Sequence, residues 1–253
     1  MKKRIFAACI SAMMLCAGLS GCGKELQIEE KPVLNFTAPA EGEEIVVIHV
    51  RDRGDIKIKL FADVLPEACE NFTTLASRDY YNELIFHRVI NNFMIQGGDP
   101  TGTGRGGESC WGGKFNGGVS DQLCNFAGAL CYANSAGPST DGSQFYIVTG
   151  TVPTAEDLKY YEEEYDQNPQ VTYDINFTKE AEEIYQKVGG APHLDGGYTV
   201  FGQVFEGLDI VFDIAAVATD GNNKPLDAVY IESVTVEKYD GSELRWYLED
   251  YAE

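Results

Sequence analysis

The stretch from residue 86 to 150 constrains the fold of this chain more than any other. It sets short β-patterned runs between glycine-rich connections, among them Phe86-His87-Arg88-Val89-Ile90, Ala129-Leu130-Cys131-Tyr132 and Gln144-Phe145-Tyr146-Ile147-Val148. Runs this short suit strands rather than helices, and glycine supplies the tight reversals between them. Many short strands on tight loops point to an all-β, antiparallel barrel. The flanks agree. Residues 45–50 and 56–60 read as a hairpin around Arg51-Asp52-Arg53-Gly54-Asp55, and strand-like sequence returns at 198–205 and 228–236. Two short helices are predicted, one opened by Pro66 with Ala68, Phe72 and Leu75 on one face, the other at about 207–216.

Between the last two groups of strands the composition changes. Tyr160-Tyr161, Glu162-Glu163-Glu164 and Glu180-Ala181-Glu182-Glu183 lie on helix-favouring patterns. An acidic helical insertion at about 152–191 is expected to be a solvated excursion, because it holds too few apolar residues to form its own core. It reads as a charged decoration, or as an element that extends a groove or recruits a partner. The barrel domain is placed at 44–238, followed by a tail at 239–253 whose pattern assigns it nowhere.

The N-terminus carries Lys2, Lys3 and Arg4, then an uncharged apolar run over residues 5–19. This is a signal-peptide pattern, short of the roughly 20 apolar residues of a spanning helix. Its end, Leu19-Ser20-Gly21-Cys22, resembles the lipobox of bacterial lipoproteins. That resemblance implies a lipoprotein signal peptide at 1–21, lipidation of Cys22, a flexible tether at 22–43, and a protein lipid-anchored to a bacterial membrane outside the cytoplasm. An ordinary signal peptide cleaved near Gly21 is the alternative. The chain has 40 acidic against 19 basic residues, a net charge of −21, and loses three more cations with the signal. Such a surface excludes nucleic acid as a partner. Cys69, Cys110, Cys124 and Cys131 lack Cys-x-x-Cys spacing and neighbouring histidines, so no metal site is read and buried thiols are expected in preference to disulfides. No organic cofactor is implied either.

Gly102-Thr103-Gly104-Arg105-Gly106-Gly107 matches the dinucleotide fingerprint in form, but no helix is predicted after it. Ser143, in Asp141-Gly142-Ser143-Gln144, is not a nucleophile elbow. Three longer segments are more specific: Phe86-His87-Arg88-Val89-Ile90-Asn91-Asn92-Phe93-Met94-Ile95-Gln96-Gly97-Gly98-Asp99; Tyr132-Ala133-Asn134-Ser135-Ala136-Gly137-Pro138 with Gly142-Ser143-Gln144-Phe145-Tyr146; and His193-Leu194-Asp195-Gly196-Gly197-Tyr198-Thr199-Val200-Phe201-Gly202. Together they closely resemble the cyclophilin family of peptidyl-prolyl cis-trans isomerases.

The resemblance implies an eight-stranded antiparallel barrel capped by two helices, with an outer groove for an X-Pro segment. Carried over, Arg88 is the catalytic guanidinium, and Phe93, Met94, Tyr146 and Leu194 line a proline pocket. Gln96, Gln144 and the backbone of Ala133-Asn134 hold the substrate main chain, with His87, His193 and Tyr198 beside them. His193 stands where many relatives have Trp, Tyr198 where many have His, and Ser135-Ala136 adds one residue to the groove loop. The implied partners are proline-containing segments of exported proteins. A catalytically weak proline-peptide-binding module or holdase is the alternative reading. Rotation about X-Pro crosses a barrier of about 18–20 kcal/mol and needs no covalent chemistry. A pocket for the ring and a donor at the prolyl nitrogen suffice in principle.

Overall fold

The expected hairpin forms from β1 (Glu44–Val50) and β2 (Gly54–Leu60), with Val46 opposite Ile58 and Ile48 opposite Ile56. The reversal between them uses Asp52 at φ 60°, a left-handed conformation that Asp tolerates better than most side chains. The computed structural model describes residues 31–165, 173–244 and 246–247. The signal peptide, Cys22 and the start of the tether lie outside the described residues, as do positions 166–172 of the insertion and the end of the tail.

Six further strands follow: β3 (Arg88–Ile90), β4 (Met94–Gly97), β5 (Ala129–Tyr132), β6 (Phe145–Val148), β7 (Val200–Glu206) and β8 (Ile231–Lys238). All pair antiparallel in one sheet of order β3-β4-β6-β5-β7-β2-β1-β8. Register shifts at His49/Val50, Lys57/Ile58 and Leu130/Cys131 bend the strands, as bulges do in barrels. The sheet therefore curls until its edges approach. Ile85, just before β3, bridges Tyr230, just before β8, and the Phe86 N–H donates to the Val229 carbonyl at 3.0 Å.

Large aromatic rings fill the interior. Tyr132 stacks on Phe201 with centroids 4.2 Å apart, and Phe72 stacks on Tyr81 at 4.8 Å. Helix α1 (Pro66–Ser77) brings Phe72 there together with Ala68, Leu75 and Ala76, and packs over β7 and β8. Pro66 sits in its first turn, where a missing N–H breaks no helical bond. Burying Phe72 alone contributes about 1.5–3 kcal/mol.

The insertion contains α2 (Ala155–Tyr160), a π-helical turn (Tyr161–Tyr165) and α3 (Lys179–Val188). A Thr154–Asp157 capping box starts α2, and the Thr178 hydroxyl caps α3. The excursion is only partly solvated: Leu158, Ala181, Ile184, Tyr185 and Val188 bury themselves in a second cluster with Val33, Cys124 and Phe126. It shares a core rather than forming one. After β7, α4 (Leu208–Ala215) packs on β2, β3 and β4 through Val211 and Ile214.

That shared core corrects the reading of residues 22–43 as a flexible tether, for the part from residue 31 onward. Asn35 is fully buried, donating to the carbonyl of Cys124 at 2.9 Å and to Gln203 Oε1 at 2.8 Å, and accepting the Cys124 N–H at 3.0 Å. Val33 and Phe36 pack on the second cluster, and Lys59 Nζ donates to the Thr37 hydroxyl at 2.9 Å. The segment lacks any periodic pattern because its few apolar residues each fill a separate gap. The tail is likewise engaged: Tyr239 and Trp246 are buried, and Trp246 meets Phe36 edge-on at 5.4 Å.

All four described cysteines are free thiols; Cys69, Cys124 and Cys131 are buried and Cys110 is half-buried. Burial pushes the Cys69 thiol up to about 12, and Cys124 and Cys131 well above their ordinary value. Among the described residues no helix is long and apolar enough to cross a membrane.

Candidate active site

Strand register assembles the centre of the site. Arg88 on β3 pairs with Gln96 on β4, and Gln96 pairs with Tyr146 on β6. Directly opposed residues point to one face of a sheet, so the three side chains form a row. They line a groove of about 760 Å³. Two residue pairs along, on the same face, Met94 lies opposite Ile90. The turn between β3 and β4 places Asn92 at φ 59° and brings Phe93 to the groove rim.

Amide side chains hold the guanidinium. Arg88 Nη1 donates to Gln96 Oε1 at 3.2 Å and lies 3.9 Å from the Met94 sulfur. Gln96 Nε2 donates to Gln144 Oε1 at 2.9 Å, and Gln144 Nε2 donates to the Gly106 carbonyl at 2.8 Å. Gln144 is thus buried behind Gln96 rather than on the groove surface. Gly98 makes this packing possible: at φ +81°, a Cβ there would lie 2.4 Å from the Ser143 carbonyl oxygen.

The facing wall consists of Ala133 and Asn134 after β5, Leu194 in a 3₁₀ turn (Pro192–Leu194), and Tyr198 before β7. Ala133 N–H donates to the Gln144 carbonyl at 2.9 Å, extending the β5–β6 ladder one step and presenting Asn134 to the groove. Ser135 and Ala136 lie in an exposed loop, where both N–H groups donate to the Thr140 hydroxyl at 3.2 Å. His193 does not line the groove. It is half-buried, stacked on Phe93 at 5.7 Å and against Tyr161 of the insertion at 5.5 Å. Burial lowers its pKa. Tyr173, also from the insertion, donates its hydroxyl to the His193 carbonyl at 2.9 Å. Its ring packs so close to Gly197 that a Cβ there would come within 2.2 Å. The insertion thus backs one wall.

A buried polar chain links the insertion to the groove floor. The Tyr146 hydroxyl donates to Asn125 Oδ1 at 2.8 Å, Asn125 Nδ2 donates to Asp195 Oδ1 at 2.8 Å, and the Tyr185 hydroxyl of α3 donates to Asp195 Oδ2 at 2.7 Å. Burial raises the Asp195 carboxyl to about 6, although the bonds from Asn125 and Tyr185 pull it down. Sequence reasoning missed Asn125 and Tyr185. The only signal available was an isolated polar residue inside Cys124-Asn125-Phe126-Ala127.

Sequence reasoning also missed the other end of the groove, lined by residues 102–105 with Asp220, Asn222 and Lys224. The glycine run that mimics a dinucleotide fingerprint closes on the chain's own Asp99, whose carboxylate accepts the N–H groups of Thr101, Thr103, Gly104 and Arg105. Burial alone would raise Asp99, but these bonds hold it at about 2. The Val89 N–H donates to the Asn223 carbonyl at 2.7 Å and docks the 220–224 turn beside β3. His87 lines the groove between them, 5% exposed, with neither ring nitrogen bonded to a described residue. Burial lowers its pKa, Asp99 opposes that, and Arg88 and Lys224 add to it.

Residues 45–236 match the family model of the cyclophilin type peptidyl-prolyl cis-trans isomerase/CLD. A protein of Staphylococcus aureus (strain COL) bearing the name of a peptidyl-prolyl cis-trans isomerase is 44% identical over 198 residues, covering 78% of this chain and 94% of the relative. Its namesake in Staphylococcus saprophyticus is 42% identical over 195 residues, covering 77% and 93%. Among solved structures, a Cryptosporidium parvum cyclophilin type isomerase crystallised in the presence of the dipeptide Ala-Pro superposes with a TM-score of 0.59. It is 30% identical and covers 77% of this chain and 99% of its own. The curled eight-stranded sheet, the family match over nearly all of it and the close relatives agree that this chain belongs to the cyclophilin-type peptidyl-prolyl cis-trans isomerases.

Proposed function

We propose that this isomerase is a lipid-anchored folding catalyst that works outside the cytoplasm, on X-Pro bonds of exported polypeptides. The catalytic part rests on one observation: the Arg88–Gln96–Tyr146 row beside the apolar surface of Phe93, Met94 and Leu194. The proline ring seats on that surface and on the Tyr146 ring, with Ala133 and Tyr198 closing the wall. Gln96 and the Asn134 backbone hold the flanking main chain. His193 supports Phe93 from behind, Gln144 fixes Gln96, and His87 borders the site. The Ala-Pro dipeptide used with the Cryptosporidium neighbour is consistent with this seat.

As the X-Pro amide twists, its nitrogen loses conjugation and becomes an acceptor. Arg88 donates to it. A charge-assisted bond made only in the twisted state, worth about 1.5–3 kcal/mol, accelerates exchange roughly ten- to a hundredfold. The test is cis/trans exchange of a short X-Pro peptide followed by NMR, with the chain from Gly23 onward and its Arg88→Ala variant. Fast exchange that falls by at least tenfold in the variant, with peptide binding retained, is the expected result. Binding without accelerated exchange in the parent protein would mark a recognition module instead.

The cellular part rests on the basic-then-apolar N-terminus and the Leu19-Ser20-Gly21-Cys22 sequence. Acylation of Cys22 would hold the protein at a bilayer surface without a spanning helix. Labelled palmitate should enter the protein in bacteria and be absent from a Cys22→Ser variant. Unlabelled parent protein would refute the anchor.

A further inference from the structure

The chain has about two acidic residues for every basic one, and cations elsewhere find carboxylates: Lys31 with Asp121, Arg51 with Glu83, Lys57 with Glu206, and Lys238 with Glu44. At the groove the pattern reverses. The charged side chains lining it are Arg88, Arg105, Lys224 and one acid, Asp220. Arg105 and Lys224 make no ion pair or side-chain hydrogen bond with a described residue. The Asp220 carboxylate is engaged by its own turn, accepting the N–H groups of Asn222 at 2.8 Å and Lys224 at 3.0 Å. Between the two cations His87 is almost fully buried, and neither ring nitrogen has a protein partner. A buried donor without an acceptor is costly, and a carboxylate that draws the His87 ring toward the groove supplies one.

We propose that His87, Arg105 and Lys224 form a carboxylate subsite beside the proline pocket, so that the groove prefers X-Pro segments bearing an Asp or Glu side chain a few residues from the proline. The surrounding surface strengthens the selectivity. A strongly negative protein repels acidic chains at long range, so an acidic segment gains only where cations outnumber carboxylates, as they do in the groove lining, and there the walls of the groove limit screening by salt. This inference rests on the groove being the X-Pro site.

The test uses blocked peptides around one X-Pro bond, with Glu or Gln placed in turn at each of the flanking positions. Exchange is measured by NMR and affinity by titration, for the purified full chain and for the Arg105→Gln/Lys224→Gln double variant. The expected result is a Glu-over-Gln ratio of about ten in kcat/KM at one or two positions, the worth of one charge-assisted contact. That ratio should collapse toward one in the double variant, and shrink as salt rises from about 50 to about 300 mM. Equal handling of Glu and Gln at every position, or a Glu preference that survives in the double variant, would overturn the subsite. Glu-selective binding that depends on Arg105 and Lys224 without accelerated exchange would uphold the subsite and overturn catalysis alone.

Discussion

Gln144 bonds the protein at both ends of its amide, to Gln96 and to the Gly106 carbonyl. Truncating it leaves Gln96 free to rotate and Arg88 without a fixed neighbour. Gln144→Ala should lower kcat/KM by roughly three- to tenfold and, because both of its partners lose a hydrogen bond, should also lower stability by about 1–3 kcal/mol. The two are read together by NMR exchange and calorimetry. Asp141 supports a second prediction. It is fully buried; the Thr199 hydroxyl bonds its Oδ2 at 2.6 Å, yet burial raises the carboxyl to about 7. The folded form therefore holds its proton more tightly than the unfolded one. Stability from this group is greatest below its ordinary value of 3.8 and is lost as pH rises toward about 7. Asp195, raised to about 6, acts in the same direction. Asp99, held at about 2, acts oppositely, but only below 3.8. The urea midpoint should be higher near pH 4.5 than near pH 7.5, and Asp141→Asn should remove on the order of 2–4 kcal/mol of that difference.

The insertion is the element that sequence described least well. Its helices were legible, because Tyr160-Tyr161, Glu162-Glu163-Glu164 and Glu180-Ala181-Glu182-Glu183 lie on helix-favouring patterns. Its packing was not, since Tyr161, Tyr173 and Tyr185 reach residues distant in sequence and no local pattern encodes those contacts. The strands were the opposite case. β1, β2, β3, β5 and β6 could be read directly from their short apolar runs, and the motifs around Arg88 and Tyr146 already sat on them. What remained hidden was the row they form, which depends on β4 and β6 being neighbours despite a gap of nearly fifty residues. Through Asp195 and Asn125, α3 helps to fix Tyr146. Tyr185→Phe removes one hydrogen bond to a buried carboxylate and should cost about 1–3 kcal/mol. It should also reduce kcat/KM with a smaller effect on KM, whereas a purely structural role would change stability alone.

At the scale of the molecule, the barrel does not stop where its strands do. Asn35 reaches β7 through Gln203 and the β4–β5 connection through Cys124, while Trp246 covers Phe36. A chain begun at Glu44 would lose both the buried amide and Val33, and should unfold at distinctly lower urea than one begun before Lys31. Asn35→Ala alone should cost roughly 2–4 kcal/mol, since it leaves buried backbone groups of Cys124 unsatisfied. The thiols add a different consequence. Cys69, Cys124 and Cys131 become nucleophilic only as thiolates, and folding both hides them and suppresses that ionisation. Alkylation at these three positions then requires the chain to open. Their labelling rate reports the opening of the barrel and of its second cluster separately, from inside an unmodified protein.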